Sequence, residues 1–240
     1  FIIYTMLLSI FFILCKELGT LLIVYLIGLA MLWIFSQNRV FTAVLIILTI
    51  TGITIFWLIC DKLLYPMVIS NEIILPGLFE KLVKRFGTAL HPEKSMFDTG
   101  YQGTLQLGAL TIGGLYGIDT ERYRMLLPEA TSDMIFANAV QTCGFFIGAV
   151  ILIAFFALLK RGMVIVSNCK DTYFQGLAMA ITLLFAIECM IHIGYNIVLL
   201  PITGIPLYFV SQGFTAIVTA MALISIQLVI SAKIMERSEK

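Results

Sequence analysis

The chain has 240 residues, of which 60% are hydrophobic and 12% charged, and its net charge is +1. Soluble domains carry about 25% charged residues, so this composition, with a mean hydropathy of +1.04, excludes an ordinary soluble enzyme and indicates an integral membrane protein. The near-neutral charge offers no basic field for nucleic acid.

A membrane-spanning helix needs about 20 mainly apolar residues. Six runs are candidates: Phe1 to Leu14 (short), Leu18 to Phe35, Phe41 to Cys60, Met134 to Leu159, Tyr173 to Leu200, and Phe209 to Ala232. Backbone polar groups in lipid must be satisfied internally, so these runs are helices. The prediction is an all-α polytopic membrane protein forming one domain over residues 1–240. The first run begins at Phe1 without a charged flank, so it reads as the interior of a segment that starts upstream, not as a signal peptide.

Orientation follows from the short connections. Arg39, the group Lys160, Arg161 and Lys170, and the group Lys233, Arg237 and Lys240 all fall on one face of a six-span arrangement. The opposite short connections hold only Lys16. The positive-inside rule makes the basic face, and with it the C-terminus, cytoplasmic. The long connection over 61–133 is then extracytoplasmic. Loops of that length are usually functional or disordered. Within it, Gly77 to Phe86 has near-helical apolar spacing and is expected to lie as an amphipathic helix on the membrane surface. Its Lys81, Lys84 and Arg85 would face lipid headgroups or an anionic substrate; interfacial anchoring alone explains the lysines equally well. Further along, Gly100-Tyr101-Gln102 and the glycines Gly113, Gly114 and Gly117 allow tight turns and close approach to a ligand. Neither a Walker pattern nor GxGxxG is present. The five cysteines lack metal spacing and read as apolar packing.

Asp133 is the last polar step before the uncharged run Met134 to Leu159. An acid there is either a helix N-cap or a base whose pKa burial raises; spacing alone leaves both open. Glu129, four residues earlier, is a candidate to orient or neutralise the site, or a plain loop acid. Arg85, Arg122 and Arg124 are candidate diphosphate contacts, because guanidinium offers phosphate a two-pronged fork. In the fifth run, Glu188, His192 and Asn196 share a helix face. Ionisable residues at such depth usually pair. The expected pair is Glu188–His192, either packing helices or relaying protons. Pro201, Thr203, Pro206 and Ser211 suggest a re-entrant turn lining a cavity.

Several segments together resemble the SEDS family (shape, elongation, division and sporulation). Cys15-Lys16-Glu17-Leu18-Gly19-Thr20 is similar to its Gln-Pro-Asp-Leu-Gly-Thr. Arg85, Pro92-Glu93 and Gly100-Tyr101-Gln102 follow its Arg, Pro-Glu and Gly-Tyr-Gln. Ala109 through Gly117 is similar to its glycine-rich motif, Leu127 through Phe136 to its Leu-Pro-Glu-x-x-Thr-Asp-Phe-Ile-Phe, and Leu200 through Phe214 to its Leu-Pro-x-Thr-Gly-Ile-Pro motif. The family has ten spans, of which this chain would match about the last six. Tyr208, Gln212 and Phe214 depart from the last motif, Gln141-Thr142 stands where the family has two acids, and Glu188 and His192 replace a Gln and an Asn.

The resemblance implies an inverting glycosyltransferase in the bacterial plasma membrane. It would polymerise lipid II, the undecaprenyl-diphosphate disaccharide-pentapeptide, into β-1,4 glycan with a class B penicillin-binding protein as partner. It makes Asp133 the base, with a divalent cation (Mg or Mn) held there as the alternative. Arg85 becomes the diphosphate contact, and Gln102, Gly113, Gly114, Glu129 and Ser211 shape the pocket. Two rivals stay open: a lipid-linked precursor transporter driven through Glu188 and His192, and a non-catalytic scaffold in the membrane.

Overall fold

The computed structural model describes residues 8, 18–70, 80, 83–85, 87, 101–118 and 125–238. The expected first span, Arg122 and Arg124 lie outside them. The described architecture is helical throughout. α1 (Leu18–Phe35) and α2 (Arg39–Ile59) are joined by a short turn in which Asn38 caps α2 by accepting the Phe41 N–H. Tyr25 of α1 and Thr49 of α2 hydrogen-bond at 2.8 Å. α2 does not stop at Cys60, as its sequence suggests. It continues through a π-helical turn (Cys60–Leu64) into α3 (Tyr65–Ile69), so Asp61 and Lys62 belong to the rod and not to the connection. Pro66 is tolerated because it sits in the first turn of α3.

Only part of the expected surface helix over 77–86 is described. Residues 80, 83–85 and 87 are helical, with Val83 packed on Cys60, Tyr65 and Val68. Lys84 pairs with Glu80 at 2.8 Å within that helix.

α4 (Tyr101–Gly113) was not legible as a helix. Its 13 residues include Gly103, Gly108 and Gly113, each unfavourable in a helix interior. Its buried positions are Gly103, Gln106, Ala109, Leu110 and Gly113, one stripe at helical spacing. That stripe packs on α5 (Ile135–Asn168). α5 runs past the basic pair Lys160–Arg161 and is broken at Gly144, with φ 77° and ψ 176°. The turn after α4 fills the break. Phe145 N–H donates to Gly114 O at 2.9 Å, and Ile118 N–H donates to Gln141 O at 3.0 Å. Backbone groups freed by the kink thus find backbone partners, as they must away from water.

α6 (Thr172–Asn196) is the central helix, capped by Asp171, which accepts from the Tyr173 and Phe174 N–H groups. In its most apolar stretch 44% of residues are buried, against 6% in the α2 rod, so among the described residues α6 is the core and α2 is largely exposed. α7 (Phe214–Ser238) packs antiparallel to α6, and Gln227 Nε2 donates to Thr182 Oγ1 at 2.9 Å across the interface. The α2 rod, α5, α6 and α7 are long and apolar enough to cross a membrane, and α1 is a shorter apolar helix.

α6 ends at Asn196 and α7 begins at Phe214. The strap between them, 197–213, doubles back along α6: Leu200 lies against Gly194, Ile205 O against His192, and Tyr208 against Glu188. This is the re-entrant turn that the prolines suggested.

Candidate active site

Asp133 sits in the tight turn 128–134 that enters α5. It is not a helix cap. Met134 occupies the cap position without a side-chain bond, and the first-turn N–H of Ala137 is satisfied from another helix, by Asn196 Oδ1 at 3.1 Å. With the cap supplied by α6, the Asp133 carboxylate takes no hydrogen bond from the described residues. Its backbone, by contrast, is held tightly. Asn196 Nδ2 donates to Asp133 O at 3.0 Å, and the Tyr195 hydroxyl lies 2.8 Å from the same oxygen.

Tyr195 Oη also lies 2.8 Å from Ile205 O and from His192 Nδ1. His192 Nδ1 is itself 2.8 Å from Ile205 O. A carbonyl cannot donate, so that contact puts the ring proton on Nδ1, and the Tyr195 hydroxyl is within donating distance of both carbonyls, Asp133 O and Ile205 O. One buried knot on α6 therefore fixes both the turn carrying Asp133 and the strap opposite it.

Glu129 shapes the turn from the other side. Its φ is 50°, its carbonyl accepts from Ser132 and Met134 N–H, and its carboxylate accepts from Ser132 Oγ at 2.9 Å. Gly204 of the strap, with φ 72°, faces the Asp133 carboxylate; a Cβ there would stand 3.5 Å from Oδ2. Burial pushes the Asp133 carboxyl above the ordinary carboxylate range, the Glu129 charge pushes it further, and the Arg85 guanidinium pulls it back. Arg85, exposed on the short helix over 83–85, is thus electrostatically part of this site.

Other expected site residues are engaged within the fold. Ser211 is 2% exposed: Oγ accepts the Leu207 N–H and donates to Ser132 O, both at 2.8 Å. With Gln212 N–H on Thr131 O at 2.8 Å, it locks the strap to the Asp133 turn. Gly113 is closed off from ligand, because a Cβ would stand 2.9 Å from Gln141 Cα. Gly114, with φ 51°, gives its carbonyl to the α5 break, while the space where its Cβ would stand is open, with nothing within 4 Å. Gln102 is half-buried in the first turn of α4, next to Gly103, which faces Val198 of the strap.

Glu188 and His192 do not pair. Glu188 Oε1 accepts from the Tyr208 hydroxyl at 3.3 Å, while His192 turns to Ile205. Both partners come from the strap, whose fold-back the four-residue spacing could not reveal. Tyr195 and Gly204 were not singled out, and Tyr208 was noted only as a departure from the family motif; the signal available was a Tyr and an Asn ending an apolar run, which place buried polar groups at its outer turn. A cavity of about 430 Å³ at the far end of α5–α7, where Lys233 lies over the Phe174 ring, contains none of the candidate residues.

Comparison with known proteins decides the family. The model for FtsW, RodA and SpoVE, described as "Cell cycle protein", matches residues 1–236. The chain belongs to this family. SEDS relatives include Stage V sporulation protein E of Bacillus subtilis, 34% identical over 152 residues, covering 62% of this chain and 42% of the relative. Peptidoglycan glycosyltransferase MrdB of Escherichia coli is 28% identical over 211 residues, covering 86% of this chain and 52% of the relative. The chain thus spans about half the length of the curated relatives it matches. A solved chain from work on the structural coordination of polymerization and crosslinking by a peptidoglycan synthase complex superposes with a TM-score of 0.66 at 17% identity. It covers 92% of this chain and 57% of that one, and it shows the shared fold. SEDS membership together with the apolar helices makes this a multi-pass membrane protein.

Proposed function

We propose that the full-length protein is a peptidoglycan glycosyltransferase that polymerises lipid II. The observation that carries this is the Asp133 carboxylate: relieved of capping, without a hydrogen bond from the described residues, and set on a backbone pinned from α6. Relatives named peptidoglycan glycosyltransferase support the same reading.

In this reading Asp133 accepts the proton of the acceptor sugar's 4-hydroxyl as that oxygen attacks the anomeric carbon of the donor. The bond to the lipid diphosphate breaks on the opposite face, which inverts the configuration to β-1,4. A raised pKa strengthens the carboxylate as a base, and the first turn of α5 stabilises its anionic form. Arg85, whose charge acts on Asp133, is the group we assign to favour the departing diphosphate. Gln102 is a candidate contact at the edge of the strap. Among the described residues, no three metal-ligating side chains converge. Asp133 and Glu129 do not make a metal centre by themselves, and the steps above run through the chain's own groups.

The bacterial plasma membrane, a cytoplasmic C-terminus and a class B penicillin-binding protein as partner belong to the same proposal. They are supported by the basic connections Lys160, Arg161, Lys170 and Lys233 on one face and by the likeness to a synthase complex chain. The deciding experiment uses the purified full-length protein with lipid II. Asp133→Ala should abolish glycan polymer on a gel while the protein still runs as a folded species; unchanged polymer would overturn the assignment.

A further inference from the structure

Gly204 also borders a second space of about 310 Å³, of mixed polar and apolar lining. Its lining includes Thr20 of α1, Glu188 of α6, Thr203 and Tyr208 of the strap, and Thr215 and Thr219 of α7. No Lys, Arg or His is among the lining residues. Glu188 Oε1 accepts from the Tyr208 hydroxyl, but Glu188 Oε2 and Thr203 Oγ1 are buried with no hydrogen-bond partner among the described residues. The Thr203 carbonyl lies 3.5 Å from where a Cβ on Gly19, another lining residue, would stand.

A carboxylate removed from water without a counter-charge is strongly disfavoured. Here the groups around it are hydroxyls and a carbonyl of unwound backbone, and non-helical backbone at membrane depth belongs where it lines a hydrated cavity. An all-oxygen set suits a hard cation, and one carboxylate balances one positive charge. Unwound backbone beside a carboxylate is also a setting in which transporters hold sodium.

We propose that this cavity binds a single alkali-metal cation through Glu188 and Thr203. Its occupancy ties α1, α6 and the strap together. Because the strap carries Gly204 against Asp133, it also sets the wall behind that carboxylate; this last consequence rests on the glycosyltransferase reading, whereas the binding does not.

The test uses the full-length protein in detergent, with N-methyl-D-glucamine chloride replaced by NaCl or KCl at constant ionic strength. Thermal unfolding and equilibrium dialysis with radioactive sodium are the readouts. The expected result is a saturable rise in unfolding temperature and one cation per chain. Glu188→Gln should remove the saturable rise, and Thr203→Val should weaken the half-saturating concentration at least tenfold. No saturable alkali dependence, an equal dependence in both variants, or a response to Mg2+ alone would overturn the proposal. If Glu188→Gln does not fold, Thr203→Val decides by itself. Asp133→Asn should bind the cation as the parent does, so loss of polymerisation and loss of the cation site are read separately.

Discussion

Ser211→Ala separates two roles for the strap. If Ser211 is a strut, the substitution removes two hydrogen bonds of 2.8 Å and orphans the N–H of Leu207, a residue with 0% exposure. Each lost bond costs about 1 kcal/mol net, and a buried orphan donor costs about 1–3 kcal/mol more. The sum is about 3–5 kcal/mol. For a chain of this size, about 2–4 °C accompanies each kcal/mol, so the unfolding temperature should fall by roughly 6–20 °C. The turn carrying Asp133 loosens at the same time. Misplacement of a reacting group by about 1 Å costs on the order of 100-fold, so the loss should appear in kcat with KM for lipid II little changed. The measurements are thermal unfolding by intrinsic fluorescence and initial rates of polymer formation. Ser211→Cys, with a weaker donor and acceptor, should fall between the two. An unchanged unfolding temperature with a raised KM would refute the strut and return Ser211 to the substrate.

Asp133→Asn should lower polymerisation by about 10²–10⁴-fold without lowering the unfolding temperature at neutral pH. The folded-state pKa of Asp133 is raised, so its contribution favours the folded protein at low pH and is lost as pH rises through that pKa; a neutral Asn escapes this loss. Arg85→Gln removes the influence that lowers this pKa and should move the acid limb of the kcat/KM–pH profile to higher pH, whereas Glu129→Gln should move it lower; shifts in the same direction would disprove the electrostatic assignment. Gly144→Ala places a Cβ against the Leu115 carbonyl at a φ of 77° and should cost several kcal/mol, read as loss of folded protein in detergent.

The large features were legible because lipid imposes a simple rule. Leu18 to Phe35 reads directly as an apolar helix, and α1 is described over those residues, ending at Phe35. The later ends moved for identifiable reasons. α5 continues past Lys160 because charged side chains do not end a helix that has left the hydrocarbon, and α6 stops at Asn196 because that side chain is spent on α5. α4 stayed hidden since Gly103, Gly108 and Gly113 punctuate it and read locally as turns. Asp133 could be singled out from its place before an uncharged run, and its N-cap alternative could not be dismissed until Asn196 was seen taking that role. The supposed Glu188–His192 pair failed because helical spacing says which side chains share a face, not what folds back to meet them. That contact depends on the strap.

The ties on the Asp133 turn have a consequence for how the protein is made. Tyr195 and Asn196 lie 62 and 63 residues after Asp133, and Ser211 lies 79 residues after Ser132. None of these partners exists when α5 leaves the ribosome. Closing such distant contacts is entropically costly and slow beside local helix formation. α5 therefore enters the bilayer with its acid unplaced, and the site is assembled only when the strap settles between α6 and α7. A nascent chain halted before Ser211 would insert most of its helices and carry Asp133, yet hold it with only part of the final knot. Insertion and competence are separate events in the life of this polypeptide, and the second waits for its final helix.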